Sequence, residues 1–354
     1  MDVDMEEDAP RSVPNKGKGK ARDTGTKDAI DDNNLPWVEK YRPKDMTDVV
    51  AHTDIIATLG KFIESNRLPH LLFYGPPGTG KTSLILAMAR RLFGDRYKQQ
   101  IMELNASDDR GIDVVREQIK TFASTRQIFS SSFKLIILDE ADAMTIAAQN
   151  ALRRVIEQYT KHVRFCIICN YVNKITPALQ SRCTRFRFQP LPEIHVEKKI
   201  DQIIAAEHVK ITPEAKTALL SLSGGDMRRA VNVLQACSTA FEQEEIDEAG
   251  IYNCVGNPHP RDLRRIVESM MNDDLTTSLS LIARMKAEKG LALQDILGGV
   301  FRELEEIDLK GKVRMLVYDA LATIEYRLSM GGTEKIQLSA MVATMKQGVD
   351  LQAR

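Results

Sequence analysis

The spacing of apolar positions predicts strands that alternate with helices over the first half of the chain. Short apolar runs are typical of buried strands, and they fall at 70–74, 100–104, 133–138, 163–169 and 184–188. Between them, apolar residues recur at helical spacing at 83–93, 114–123 and 147–159. Strands separated by helices predict an α/β fold, a parallel sheet with helices on both faces.

The pattern changes after Pro190, where only helical spacing follows. Two prolines at 256–260 exclude helix and predict a linker. The first 34 residues contain almost no large apolar side chains, so we expect a disordered tail. The predicted fold is therefore α/β followed by all-α, with a tail (1–34), an α/β domain (35–190), a small helical domain (191–256) and a C-terminal helical domain (257–354).

Composition narrows the possible functions. The chain has 49 Lys and Arg residues and 49 Asp and Glu residues, so its formal net charge is zero. Any nucleic-acid binding must then come from local patches rather than overall basicity. No apolar run approaches the ~18 residues that a membrane span needs, so we expect no membrane partner. There is no apolar segment at the N-terminus, so we do not expect secretion.

The five cysteines are odd in number and predict a reducing compartment without a disulfide framework. Cys166 and Cys169 form a C-x-x-C pair within one predicted strand. Residues three apart point to opposite faces of a strand, and a second ligand pair is missing. We therefore expect small core residues here rather than a metal site.

A phosphate-binding loop is predicted by "GPPGTGKT", which follows an apolar strand and opens a helix. Glycines let the backbone wrap closely around phosphates, and the helix N-terminus favours the anion. Lys81 would reach the β- and γ-phosphates, and Thr82 would hold Mg²⁺. The predicted ATP contacts in this segment are Gly75, Pro76, Pro77, Gly78, Thr79, Gly80, Lys81, Thr82 and Ser83.

The second half of the predicted site is "LIILDEAD" at 135–142. Its apolar residues run to the end of a strand, where ligands bind in open α/β sheets. Asp139 would coordinate the Mg²⁺ shell, and Glu140 would polarise the attacking water. The letters DEAD also suggest a helicase, but the chain lacks a second RecA-like domain.

Four motifs together resemble the small subunits of replication factor C, the eukaryotic sliding-clamp loader, over about residues 35–354. They are "WVEKYRPK" at 37–44, "GPPGTGKT", "LIILDEADAM" and "SRC" at 181–183. The resemblance implies an AAA+ ATPase with a RecA-like domain, a helical lid and a helical collar. It also implies ATP and Mg²⁺ as cofactors, and work in DNA replication and repair in the nucleus.

The implied partners follow from the same resemblance. They are four other loader subunits, one large and three small, a ring-shaped sliding clamp, and primer–template DNA held by backbone contacts. Two alternatives remain open: a structural subunit that binds ATP without hydrolysing it, and another AAA+ machine acting on DNA. The second would need extra DNA-binding domains, and none is visible after residue 260.

Three polar residues gain roles from the resemblance. Asn170 resembles the sensor-1 residue that orients water or the γ-phosphate, although an Asn often simply starts a turn. Arg182 resembles the arginine finger that acts in trans on a neighbour's ATP; its place away from the P-loop strand suits this, and a locally paired surface arginine is the alternative. Arg228 resembles the sensor-2 arginine, and we prefer it to adjacent Arg229. Cys183 is expected to be small and buried.

The resemblance also places residues near the adenine and the DNA. Val38, Tyr41, Arg42 and Val49 or Val50 would contact the adenine side, unless this arm serves only for packing. Three residues at a predicted helix start would contact the DNA backbone, unless they form an ordinary solvated face. These three are Arg110, Ile112 and Arg116, and by charge alone Arg153 and Arg154 are also candidates. The aromatic loop at 122–133 fits either clamp docking or closure of the core.

Overall fold

In the computed structural model, the apolar runs of the first half form one parallel sheet. The structure describes residues 35–49, 51–65, 67–106, 112–124, 133–242 and 244–353. The strands within this described part are β1 (Leu71–Tyr74), β2 (Ile101–Asn105), β3 (Lys134–Asp139), β4 (Val163–Cys169) and β5 (Thr184–Arg187). They are all parallel and lie in the order β2-β3-β4-β1-β5, which confirms the predicted α/β class.

Seven α-helices precede the last strand in the described part of the chain. They are α1 (Trp37–Lys40), α2 (Thr53–Glu64), α3 (Lys81–Phe93), α4 (Tyr97–Gln100), α5 (Ile112–Ser124), α6 (Ile146–Tyr159) and α7 (Pro177–Gln180). The three helices predicted from apolar spacing, α3, α5 and α6, begin and end within two residues of the predicted positions, whereas α1, α2, α4 and α7 were not predicted. Helix α6 begins after Thr145, whose hydroxyl accepts the backbone N–H of Ala148 at 3.2 Å.

The described chain after β5 is helical apart from connecting segments and an isolated bridge between Ile211 and Ile246. The helices are α8 (Glu193–Glu207), α9 (Pro213–Ser223), α10 (Met227–Phe241), α11 (Glu248–Val255), α12 (Pro260–Asn272), α13 (Leu275–Lys289), α14 (Leu293–Glu305), α15 (Gly311–Ser329) and α16 (Glu334–Ala353). No helix of the described residues is long and apolar enough to span a bilayer.

Separate apolar cores lie on the two faces of the sheet. One contains Leu71, Phe73 and Cys166 with helices α2 and α3, and the other contains Leu72 and Cys169 with α5 and α6. The two cysteines therefore point to opposite faces, as their spacing predicts. Burial raises the pKa of the Cys169 thiol to about 12, so this side chain stays neutral.

The helical region has cores of its own. Leu191 forms one cluster with helices α8, α9 and α10, which belong to the small helical domain predicted at 191–256 and are called the lid below. A larger cluster runs from Ile266 to Met345 through α12–α16. Residues 37–354 form one compact unit, and the predicted three-domain division stays a prediction. The predicted tail lies outside the described residues.

Candidate nucleotide site

The predicted phosphate-binding loop joins β1 to α3 at the carboxyl end of the sheet. Its glycines have φ values of 142° (Gly75), 68° (Gly78) and 88° (Gly80), in the left-handed region that glycine alone adopts readily. A Cβ on Gly75 would also lie 2.1 Å from the carbonyl oxygen of Phe188. The motif glycines are therefore needed for the path of the backbone as well as for space.

Lys81, the motif lysine, is buried at the start of α3 with only 7% of its surface exposed. Its ammonium donates to the carbonyl oxygens of Gly75 at 2.7 Å and Pro76 at 2.8 Å, and to Oδ1 of Asn170 at 3.0 Å. Burial lowers its pKa, and the nearby Asp139 charge opposes this shift in part. The structure thus brings the predicted lysine and the predicted sensor-1 residue into direct contact.

Thr82 and Asp139 form the second pair of the site. The Thr82 hydroxyl donates to Oδ2 of Asp139 at 2.7 Å, and Oδ1 accepts the backbone N–H of Glu140 at 2.9 Å. Glu140 is exposed and has a left-handed backbone with φ 53°. Hydroxyl and carboxylate oxygens are the hard donors that Mg²⁺ prefers, so this pair fits the implied ion.

One wall of the cleft comes from the segment before the sheet. Val38, Tyr41, Arg42 and Val49 all line it, as predicted for the adenine side, while Val50 lies outside the described residues. Arg42 pairs with Glu39 at 3.1 Å.

Helix α1 is tied to the lid by side chains of α8 and α10. Lys40 pairs with Glu207 at 2.6 Å, the Tyr41 hydroxyl also donates to Glu207, and the backbone N–H of Trp37 donates to Oε1 of Gln235 at 3.0 Å. Burial and the Glu207 hydrogen bond raise the pKa of Tyr41 to about 12. The segment therefore packs on the lid, which is one of the two roles considered for it, and it also lines the cleft; its contact with adenine stays a prediction.

A second part of the cleft lining comes from the lid. Arg228, the predicted sensor-2 residue, lines the cleft together with Met227 of α10 and with Lys199 and Ile203 of α8. Asp226 caps α10 by accepting the N–H of Arg228 at 2.8 Å, and its Oδ1 lies 1.7 Å from where a Cβ on Gly78 would sit. The lid thus touches the phosphate loop directly. Sequence reasoning missed Lys199, since no local signal separates it from neighbouring lysines.

Arg182 lies outside this cleft, at the amino end of β5. We predicted that Arg182 lies away from the P-loop strand β1, and this prediction is wrong. Strand β5, which begins two residues after Arg182, pairs directly with β1, and Thr184 lies beside Leu71. The separation arises because the arginine and the loop lie at opposite ends of these strands. Its Nη1 donates to the carbonyl oxygen of Ala178 at 2.7 Å, and its Nη2 pairs with Glu157. The local pairing is therefore present, and action in trans stays a prediction.

Cys183, beside this arginine, is only partly buried rather than fully buried as expected. The reason is its position before β5, an edge strand with a neighbour on one side only. Burial still raises the pKa of its thiol to about 11.

The predicted DNA contacts lie only partly within the described residues. Arg110 lies outside the described residues, whereas Ile112 and Arg116 belong to α5, with Ile112 as its first residue. Of the aromatic loop, Phe122 and Phe133 pack against the two sheet cores, which is the core-closing alternative for these two side chains. The middle of that loop also lies outside the described residues.

Comparison with known families divides the chain into two matched regions. Residues 71–191 match the family described as ATPase family associated with various cellular activities (AAA). Residues 258–344 match the family described as Replication factor C C-terminal domain. The first region contains the P-loop, Asp139 and Asn170, and the second lies in the C-terminal helices.

Similar proteins match over almost the whole chain. Replication factor C subunit 3 of Schizosaccharomyces pombe is 62% identical, covering 96% of this chain and 98% of its own. Subunit 3 of Saccharomyces cerevisiae is 54% identical (88% and 93% covered), and subunit 5 of Homo sapiens is 53% identical (90% and 93%). A solved Thermotoga maritima RuvB variant has a TM-score of 0.51 at 15% identity, covering 77% of this chain and 93% of its own, and supports the fold alone.

Proposed function

The chain belongs to the replication factor C subunit family, and from this premise we propose that it is an ATPase subunit of a sliding-clamp loader. In the nucleus it would join one large and three small subunits to open a ring-shaped clamp and load it on primer–template DNA. This activity serves DNA replication and repair. The resemblance is to the subunit numbered three in yeasts and five in humans, and the names of the similar proteins agree with it.

The observation that carries the ATPase part is the meeting of four predicted residues at one end of the sheet. Lys81 contacts Asn170 at 3.0 Å, and Thr82 contacts Asp139 at 2.7 Å. Lys81 and Thr82 follow β1, Asp139 ends β3 and Asn170 follows β4. The carboxyl ends of parallel strands form the crevice where α/β sheets bind ligands.

Thr82 and Asp139 would hold Mg²⁺, which when bound neutralises charge on the β- and γ-phosphate oxygens. Lys81 would exchange its two backbone carbonyl partners for phosphate oxygens. Glu140 would take the proton from the attacking water as the water oxygen bonds to the γ-phosphorus and the bond to the β–γ bridging oxygen breaks. ADP and inorganic phosphate are the products.

Arg182 would complete a neighbouring subunit's site. An arginine supplied in trans stabilises the charge of the phosphoryl-transfer transition state. Because Arg182 lies at the other end of the sheet from its own P-loop, a neighbour's nucleotide is the more accessible target. Its pairing with Glu157 holds the guanidinium in the free chain, and engagement of a phosphate would require that pairing to break.

DNA would be held through the start of α5. The helix N-terminus offers unpaired N–H groups to phosphate oxygens, and Arg110 and Arg116 would add charge without reading bases. Ile112, the first residue of the helix, would pack beside the backbone. The formal net charge of zero is consistent with such a local patch.

The proposal is tested by the native mass of the complex that the chain forms in cell extract with a slowly hydrolysed ATP analogue. We expect a five-chain heteromer with one large and three other small AAA+ subunits. A homohexamer, or a stable monomer with its own ATPase activity, would contradict the clamp-loader assignment.

A further inference from the structure

A lysine of the lid faces the nucleotide cleft, and neither the motifs nor the resemblance gives it a role. Lys199 of α8 lines the same cleft as Thr82 of the phosphate loop and Arg228 of α10. It is partly buried, whereas the preceding residue, Lys198, is exposed. Adjacent residues of a helix point about 100° apart, so the two lysines face different surroundings.

The register of α8 explains which side chains face the cleft. Ile203, one turn after Lys199, also lines it, and residues four apart share a helix face. Two acids of the helix lie on another face, where Glu197 and Asp201 pair with Lys216 at 2.8 Å and 2.7 Å. The helix therefore turns Lys199 toward the cleft and these two carboxylates away from it, while Glu207, one turn after Ile203, is already paired with Lys40 at 2.6 Å.

Within the described part of the chain, the Lys199 ammonium has neither an ion pair nor a hydrogen bond. Arg42, another cation of the cleft, pairs with Glu39 at 3.1 Å. A partly buried charge without a partner loses hydration and gains no hydrogen bond or ion pair to replace it. An anion bound beside it would therefore be stabilised. The cleft that Lys199 faces is the one proposed for an anionic nucleotide.

We propose that Lys199 binds the polyphosphate chain of the nucleotide from the lid side, opposite Lys81. This inference rests on the proposed function, since it assumes that the cleft holds ATP. Lysine suits the task because its ammonium is a mobile point charge on a long stem and accepts varied phosphate geometries. A charge on α8 also links the lid helix to the nucleotide through a contact separate from that of Arg228.

The test is calorimetric titration of the full chain with MgATP and MgADP, with adenosine measured by competition. Lys199→Met removes the charge and keeps the stem, Lys199→Arg keeps the charge, and Lys198→Met is the matched control. We expect Lys199→Met to weaken ATP binding by about tenfold, as for one charge-assisted contact. ADP should lose less, adenosine nothing, and both Lys199→Arg and Lys198→Met should stay close to wild type.

Two results would overturn the inference. Lys199→Met could bind ATP as tightly as Lys198→Met does, or it could lose adenosine and ATP affinity equally, which would indicate a role in base binding or lid packing. Failure of the proposed function gives a different result: the wild-type chain would not bind ATP, or Lys81→Met would leave its affinity unchanged. The two failures are therefore distinguishable in one set of titrations.

Discussion

The two ends of the β-sheet handle positive charge in opposite ways. At the carboxyl end, Lys81 is buried and held by two neutral carbonyls and an amide. At the amino end, Arg182 is 35% exposed and rests on the carboxylate of Glu157. A cation that has only neutral hydrogen-bond partners can still pair with a phosphate bound to its own chain. An exposed cation resting on a carboxylate can exchange that partner for a group on another molecule.

The largest expected effect comes from the exposed arginine. Arg182→Ala should slow ATP turnover by about 10³–10⁵-fold at the one site it completes, as for other arginines supplied in trans. The affinity of this chain's own cleft for ATP should not change. The measurement is the rate of phosphate release from the assembled complex, in which one phase should disappear.

The matched control for this variant is Arg185→Ala. Arg185 is an exposed arginine three residues further along, and it donates to Gln180 at 3.3 Å. Two results would contradict the proposal that the carboxyl end binds this chain's ATP and the amino end serves a neighbour's site. Both variants could keep full turnover, or Arg182→Ala could weaken ATP binding in its own chain.

Next in size is the loss of the proposed general base at the carboxyl end. Glu140→Gln should lower turnover at this chain's site by about 10²–10⁴-fold, because the amide cannot accept a proton from water. ATP binding should persist. Turnover by the complex and ATP affinity of the chain are measured side by side.

Asp142→Asn provides the comparison for Glu140→Gln. Asp142 lies two residues further on, and its carboxylate accepts the N–H of Tyr171 at 3.3 Å. Full turnover by Glu140→Gln would favour the alternative of a structural ATP-binding subunit.

A third prediction concerns stability at the amino end. His70 is 8% exposed, and its Nδ1 accepts the backbone N–H of Phe165 at 3.2 Å. Burial, with a smaller contribution from the Arg164 charge, lowers the pKa of His70 from 6.5 to about 4. The unfolded chain therefore takes up this proton at higher pH. The stabilisation is complete above pH 6.5 and falls by about 3 kcal/mol as the pH drops toward 4.

The measurement is the free energy of unfolding by urea between pH 4 and 7.5. His70→Gln should flatten the loss of stability below pH 6.5, whereas His162→Gln, at an exposed histidine, should leave it unchanged. Equal slopes in wild type and His70→Gln would show that His70 does not stay neutral in the folded chain.

The smallest effect is expected for the carboxylate that holds the arginine. Glu157→Gln should change stability by less than about 1 kcal/mol, because the pair is exposed and screened by salt. It should also let Arg182 engage a neighbour more easily and tighten assembly of the complex by up to about fivefold, as that energy allows.

Assembly is measured by titrating subunits at limiting concentration. The effect of Glu157→Gln should vanish in an Arg182→Ala background, as a double-mutant cycle requires for a direct pair. Weaker assembly, or a loss of turnover like that of Arg182→Ala, would instead make Glu157 a positioning residue for the arginine.

Much of the site could be predicted because its chemistry is concentrated in short segments. The P-loop needs glycines with positive φ directly after a strand, and the aspartate of β3 stands at the strand end. The resemblance added Asn170, 89 positions from Lys81, but the contact between their side chains is a property of the sheet order β2-β3-β4-β1-β5. The spacing of apolar residues predicts where strands lie in the sequence, but not their order in the sheet.

What sequence reasoning missed depends on packing between distant elements. Lys198 and Lys199 are adjacent and chemically identical, and only the seating of α8 against α1 and α10 makes one of them face the cleft. The partner of Arg182 lies 25 residues earlier, in α6. Partial exposure of Cys183 follows from the edge position of β5, which the alternation of elements cannot reveal.

If Arg182 acts on a neighbouring chain as proposed, a phosphate loop at one end of the sheet and this arginine at the other give the molecule a direction. Chains that meet through these two features associate head-to-tail, since the donating surface of one faces the receiving surface of the next. In a two-fold symmetric dimer the same surface of each chain forms the contact, so the arginine of one chain cannot meet the phosphate loop of the other. In an open row, the chain at one end keeps an unused arginine and the chain at the other keeps an uncompleted site. The count of complete sites is then one fewer than the count of chains, unless the row closes into a ring.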